Sequence, residues 1–195
     1  MPAGTVTDLG RAERRKREGL DIPDRGLLAD PLEYLLVDHL RMRDLCAVAE
    51  RIAEGDGAET SLAHALAHHL VGDLAVHGLD DEEDLYPLVR RRAWPEDRVE
   101  DVLGALASDQ ALGERLFGEL AEDLTAMAAA GSAPDVDLRR SLRDFAVRLR
   151  RRIAVENALV MPLAEARLTK ADLAGLARRM AARRGMRLAV GAAHA

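Results

Sequence analysis

Residues 77–88 read HGLDDEEDLYPL, and residues 152–163 read RIAVENALVMPL. In both stretches a carboxylate follows the first residue by four positions, and a proline follows the carboxylate by six. The alignment pairs His77 with Arg152, Asp81 with Glu156, Leu85 with Val160, Pro87 with Pro162 and Leu88 with Leu163. Four residues are about one helical turn, so the first residue and the carboxylate share a helix face. An imidazole and a carboxylate at this spacing on an inward face are a common way to build a metal site in a helical bundle.

The composition around this repeat indicates an all-α protein. Hydrophobic residues make up 48% of the 195 residues, but aromatic residues only 3%. Sheets favour aromatic and β-branched residues, so a core of mostly Leu, Ala and Val favours helices. The length suits one domain.

Apolar spacing and capping signals then divide the chain. Four long helices and a short fifth one are expected, over residues 31–54, 59–92, 94–130, 136–167 and 170–184. The simplest arrangement is an up-down-up-down four-helix bundle over residues 31–185, with the fifth helix lying across it. Residues 1–30 are expected to be a mobile N-terminal arm, and residues 186–195 a flexible tail.

Two details of these helices are also predicted. Gly78 and Pro87 are expected to bend the second helix. The fifth helix carries a basic face, which is expected to be solvated, and that face consists of Arg178, Arg179, Arg183 and Arg184.

The other two long helices offer partners for the repeat. His39 lies on the apolar stripe of the first helix, and Gln110 and Glu114 repeat the four-residue spacing on the third. A bundle with these faces inward brings seven polar residues toward one interior volume: His39, His77, Asp81, Gln110, Glu114, Arg152 and Glu156.

Four short motifs resemble the hemerythrin-like, or HHE cation-binding, domain family. They are PLEY at 31–34, DHLR at 38–41, HGLDDEEDLYP at 77–87 and ENALVMP at 156–162. The resemblance extends over residues 31–185, and the DEEDLYP stretch is its most specific part. It implies a four-helix bundle around two non-haem iron ions bridged by carboxylates. Members of the family bind dioxygen, sense oxygen, nitric oxide or iron, or act in iron handling.

The chain departs from the family pattern at the site itself. The family has histidine where Gln110 and Arg152 stand, and it usually has Glu where Asp81 stands. The metal ligands that the resemblance leaves are His39, His77, Asp81, Glu114 and Glu156. The expected cofactor is iron, in a di-iron or partial site, and the expected partners are the metal ion and a small diatomic ligand.

Arg152 supports a second hypothesis. A guanidinium stays charged and cannot ligate a metal, so among carboxylates it takes over the electrostatic role of a cation. The alternative is therefore a metal-free bundle that acts as an interaction or regulatory protein. If Arg152 turns outward instead, the metal site is favoured.

The remaining histidines and the cysteine have simpler interpretations. His69 and Asp73 continue the four-residue ladder of His77, so they are candidates to turn toward the site. His64 and His68 are expected to be partly exposed without a metal. Cys46 lies on an apolar stripe and is expected in the core.

Several function classes find no support in the sequence. The net charge of −6 disfavours general nucleic-acid binding. No apolar run approaches the roughly 20 residues of a membrane helix, and no leader segment is visible, so a cytoplasmic location is expected. The sequence shows neither a nucleophile with an adjacent base nor a phosphate-binding loop, so it gives little support to an enzymatic function.

Overall fold

The computed structural model describes residues 20–57 and 59–188, apart from the side chains of Ala111 and Glu114. Within these residues all regular structure is helical and there is no strand, so the all-α prediction is confirmed. Residues 1–19 of the expected arm and residues 189–195 of the expected tail lie outside the described residues. Residues 25–29 form a 3-10 turn whose Leu28 is fully buried.

Eight α-helices follow along the described chain. They are α1 (Pro31–Glu54), α2 (Thr60–Val71), α3 (Asp73–Leu79), α4 (Tyr86–Arg92), α5 (Val99–Ala130), α6 (Val136–Val155), α7 (Met161–Arg167) and α8 (Lys170–Arg183). A first π-helical segment, Asp80–Leu85, joins α3 to α4, and a second, Glu156–Val160, joins α6 to α7. The chain thus forms four long helical segments and the shorter α8.

The starts of α1 and α8 are as predicted. The Asp30 side chain accepts a hydrogen bond from the backbone N–H of Glu33, and Thr169 caps α8 in a reciprocal pair with Asp172. The predicted start of the third helix at Trp94 is wrong. Pro95–Asp97 form a separate 3-10 turn, and Arg98 adopts a left-handed conformation (φ 49°) before α5 begins.

The second helical segment is interrupted at Gly72 and not at Gly78, which corrects the predicted bend. Gly72 separates α2 from α3 with φ −100° and ψ −97°. A Cβ at Gly72 would lie 2.9 Å from the carbonyl oxygen of His68, so a larger residue does not fit there. Gly78 continues α3 in regular helical form.

Both π segments precede a proline at the second position of the next helix. Pro87 and Pro162 have no N–H, and in a regular helix their rings would clash with the carbonyl four residues earlier. The wider π turn relieves that clash. The repeat in the sequence is therefore also a repeat in the backbone, and it places Asp81 and Glu156 at equivalent positions.

Two apolar clusters form the core, one on either side of a polar layer. Leu45, Leu74, Leu120 and Leu149 belong to one cluster. Leu35, Leu85, Leu106 and Val160 belong to the other. On each long segment the candidate site residue falls between the two clusters, so all four segments present polar groups at one level.

The basic face of α8 is only partly solvated, which corrects the expectation for it: Arg178 is exposed, but the other three arginines form ion pairs. Arg183 binds Asp80 and Asp84, Arg184 binds Asp80 at 2.6 Å, and Arg179 binds Asp84. Asp80 and Asp84 are almost fully buried, so a cationic partner offsets their desolvation. Helix α8 is thereby held against the first π segment.

None of the described helices is both long and apolar enough to cross a lipid bilayer.

Candidate metal centre

Five of the predicted site residues meet in the polar layer. His39 comes from α1, His77 from α3, Asp81 from the first π segment, Arg152 from α6 and Glu156 from the second π segment. Each is between 1% and 6% exposed. Charges buried this deeply must be compensated by one another or by a bound ion.

Arg152 points inward and links the two copies of the repeat. Its Nε donates to Oε1 of Glu156 at 2.8 Å, and one Nη donates to Oδ2 of Asp81 at 2.8 Å. Burial opposes the charge of the guanidinium, but Glu156 and Asp81 outweigh it and raise the pKa of Arg152 above its ordinary value. The site therefore contains a fixed positive charge.

The two imidazoles face the same carboxylates from the other side. Nδ1 of His39 donates to Oδ1 of Asn157 at 2.6 Å, and Nδ1 of His77 donates to Oδ2 of Asp38 at 2.8 Å. The opposite ring nitrogens point inward: Nε2 of His39 lies 3.1 Å from Oε2 of Glu156, and Nε2 of His77 lies 3.3 Å from Asp81. The rings are 5.2 Å apart between centroids.

Three inward atoms have no hydrogen-bond partner among the described residues. They are Nε2 of His39, Nε2 of His77 and Oε2 of Glu156. Nε2 of His39 and Oε2 of Glu156 are therefore close to each other but are not aligned for a hydrogen bond. Leaving a buried polar atom unpaired costs about 1–3 kcal/mol. One nitrogen or oxygen atom from each of these residues lies within 4.8 Å of the other two, so the three residues could hold a metal ion.

The titration of these groups reflects their crowding. Burial opposes charging of His77, but the carboxylates of Asp81 and Asp38 outweigh it and raise the pKa of the ring to about 10. Burial would raise the pKa of Glu156, yet His39 and Arg152 lower it well below the usual range. At neutral pH His77 is therefore protonated in the metal-free site, and a metal that binds its Nε2 would have to displace that proton.

Three residues of the site were quoted in motifs but not assigned from the sequence. Asp38 and Asn157 hold the outer nitrogens of the two imidazoles, and the Tyr86 hydroxyl donates to Oε1 of Glu156 at 2.6 Å. Asp38 precedes His39 and Asn157 follows Glu156, so adjacency to a ligand candidate was their only signal. Burial and the nearby carboxylates of Asp81 and Glu156 raise the pKa of Tyr86 above its ordinary value, which keeps it a hydrogen-bond donor.

Of the two candidates on α5, the structure describes the side chain of Gln110 but not that of Glu114. Gln110 is buried and packs against Gly78, where a Cβ would lie only 2.1 Å from Nε2 of Gln110. Gln110 and Arg152 line one small cavity with Phe117 and Leu149. The side chain of Glu114 is outside the described residues, so its role as a ligand stays a prediction.

His69 and Asp73 do not turn into the site. They bind each other at 2.8 Å and line a surface groove together with His64 and His68. The interruption at Gly72 separates His69 from His77, so the predicted ladder does not run along one continuous helix. Cys46 is fully buried, as predicted, and burial raises the pKa of its thiol to about 11.

Comparison with known proteins agrees with the geometry. No curated protein and no solved structure matches the chain. The family described as "Hemerythrin HHE cation binding domain" matches residues 30–164, which include the whole polar layer. The chain belongs to the hemerythrin HHE cation-binding domain family.

Proposed function

We propose that the protein binds one divalent cation, with iron as the expected ion, through His39, His77 and Glu156. Arg152 takes the place of a second cation. The observation that supports this is the set of three buried ligand atoms that converge without hydrogen-bond partners among the described residues. Such a protein would sense or handle iron, or a small diatomic molecule that the ion binds.

The donor chemistry fits iron. Two imidazoles and one carboxylate with open positions form the set that non-haem Fe(II) favours. Metal–ligand bonds of about 2.1 Å place neighbouring donors roughly 3 Å apart, so donors within 4.8 Å of one another would draw together by up to about 2 Å around an ion. Bound iron would supply a Lewis-acidic ion with positions for dioxygen or nitric oxide.

The same geometry disfavours a second ion. Arg152 already binds Asp81 and one oxygen of Glu156, which leaves Oε2 of Glu156 for a metal. A divalent cation about 4 Å from the guanidinium is repelled by about 8 kcal/mol at an effective dielectric constant of about 20. We therefore expect one cation per chain and not a di-iron centre.

A second candidate function is the metal-free bundle that acts as an interaction or regulatory protein. The inward position of Arg152 favours it, because the guanidinium compensates two of the buried carboxylates without any metal. This candidate leaves the three converging ligand atoms without a role.

The proposed function assumes an up-down-up-down bundle. The paired residues support it: Glu50 binds Arg150 and Ala53 binds Arg139, whereas His39 binds Asn157. As the residue number increases along α1, the residue number of its partner on the fourth segment decreases. The two segments therefore pack antiparallel. The short connections between the segments are typical of this topology.

Metal content tests the proposal. The wild-type chain, expressed in iron-replete medium, is expected to contain one metal ion per chain by plasma mass spectrometry. His39→Gln and His77→Gln should each lower the content severely, whereas His64→Gln on the surface groove should leave it unchanged. Folding is verified by circular dichroism. A metal-free wild type would favour the second candidate, and two ions per chain would contradict the role given to Arg152.

A further inference from the structure

Asp38 and Arg41 form a buried polar pair behind one ligand candidate. Asp38 is 1% exposed and Arg41 is 4% exposed, and both lie on α1. Nε of Arg41 donates to Oδ1 of Asp38 at 2.6 Å, and Oδ2 of the same carboxylate accepts from Nδ1 of His77 at 2.8 Å. A continuous chain of contacts therefore runs from Arg41 through Asp38 to the imidazole.

The guanidinium of Arg41 makes its hydrogen bond to Asp38, and its charge also acts on Asp73. Its two Nη atoms are buried without a hydrogen-bond partner among the described residues, so Asp38 is the acceptor through which it acts. Burying a charged group with so few partners is costly. The buried guanidinium of Arg41 therefore serves to constrain the carboxylate of Asp38, to which it donates.

The other imidazole lacks such an arrangement. Nδ1 of His39 donates to a neutral amide, that of Asn157. Outer partners of ligand histidines set the ring orientation and tautomer, and a carboxylate also makes the ring a stronger donor. The two rings thus differ in the group behind them, although both present Nε2 to the same interior.

We propose that Asp38 and Arg41 are positioning residues for metal binding: they fix the ring of His77 so that Nε2 faces the site. Arg41 holds Asp38 in place, and Asp38 holds Nδ1–H of His77. The pair acts only through His77 and does not touch the ion. This inference rests on the proposed metal function, but the position of the ring can be measured without metal.

The experiment compares Asp38→Asn with Asp44→Asn, an exposed residue on the same helix. Co²⁺ is titrated into each metal-free protein, and affinity and visible absorption are recorded. Asp38→Asn is expected to bind Co²⁺ about 10–100-fold more weakly, the usual effect of losing an outer-shell partner, with an altered spectrum. Arg41→Met should show a smaller loss in the same direction, and Asp44→Asn should match the wild type.

A metal-free readout separates this inference from the proposed function. The Nδ1–H proton of His77 is observed by ¹H–¹⁵N NMR in the metal-free proteins, with circular dichroism as a check on folding. It should be protected and shifted downfield in the wild type and in Asp44→Asn, and lost or shifted in Asp38→Asn. If wild type binds no Co²⁺ but shows this difference, the metal function fails, whereas the positioning of the His77 ring by Asp38 stands. An unchanged proton in a folded Asp38→Asn variant, or unchanged Co²⁺ affinity and spectrum, would overturn the positioning role.

Discussion

The two copies of the repeat share a backbone and differ in the cation that they supply. Each has a residue one turn before a buried carboxylate, a π segment and a proline. The first copy places His77 in front of Asp81, and the second places Arg152 in front of Glu156. An imidazole offers a lone pair to a metal, whereas a guanidinium offers a permanent charge. The second copy thus has ion pairs of a guanidinium at the position where the first copy has an imidazole.

The charge of Arg152 is expected to have the largest effect on stability. Arg152→Met leaves Asp81 and Glu156 buried without that cation, so the free energy of unfolding of the metal-free protein should fall by about 3–5 kcal/mol. Urea denaturation in the presence of a chelator measures it. Arg151→Met, at an exposed neighbouring position, should change the value by less than about 0.5 kcal/mol. Equal losses in the two variants would contradict the role of the buried ion pair.

Converting the second copy into the first should add a metal position. The double change Gln110→His and Arg152→His supplies two neutral ligands and removes a fixed positive charge, both of which favour a cation. The metal content should rise from one ion per chain toward two, and added metal should raise the melting temperature by binding the native state.

The single variant Gln110→His is the control for that experiment. It retains Arg152, so its content should stay at one ion per chain. A double variant that gains no metal would show that the geometry of the polar layer, and not ligand identity, closes the second position.

Gly78 and Ile153 are equivalent positions of the repeat, and Gly78 packs against Gln110. Gly78→Ala should lower the free energy of unfolding by about 1–3 kcal/mol, because the added methyl group displaces the buried amide. Gly104→Ala is the matched control, since it lies on an exposed face of α5 with no atom within 4 Å of the new Cβ. Because alanine has a higher helix propensity than glycine, Gly104→Ala should raise the free energy of unfolding by roughly 0.5–1 kcal/mol. Chemical denaturation of both variants measures the contrast, and stabilisation in both would show that Gln110 moves freely.

The smallest expected effect concerns α8, whose Arg179 and Arg183 form ion pairs with the first π segment. Arg183→Ala removes ion pairs to Asp80 and Asp84, so amide hydrogen exchange over residues 80–85 should become faster, by about fivefold if the loss is near 1 kcal/mol. Residues 156–160 should be unaffected. Arg178→Ala, at an exposed position of the same helix, is the control. Equal acceleration in both π segments would indicate a general loosening of the bundle.

Much of the fold was predictable from local signals. The ends of α1 and α8 and the start of α6 follow from caps and apolar spacing within each segment, as with Asp30 and Thr169. The errors arose both within a segment, at Gly72, and where two segments meet. Gly72 was not distinguished from Gly78, because the first is required by a backbone carbonyl and the second by a side chain of another helix. The basic face of α8 seemed suited to solvent because its acidic partners lie about 100 residues earlier.

The sequence by itself determined that His77 and Arg152 occupy equivalent places, each one turn before a carboxylate, because that spacing lies within a single helix and helical geometry fixes it. Only the tertiary structure decided that Arg152 turns inward to Asp81, 71 positions away, and that Asp38 and Asn157 hold the two imidazoles. It also decided that three ligand atoms converge without partners among the described residues. These contacts join different segments, so they depend on how the helices pack and on which rotamer each buried side chain adopts.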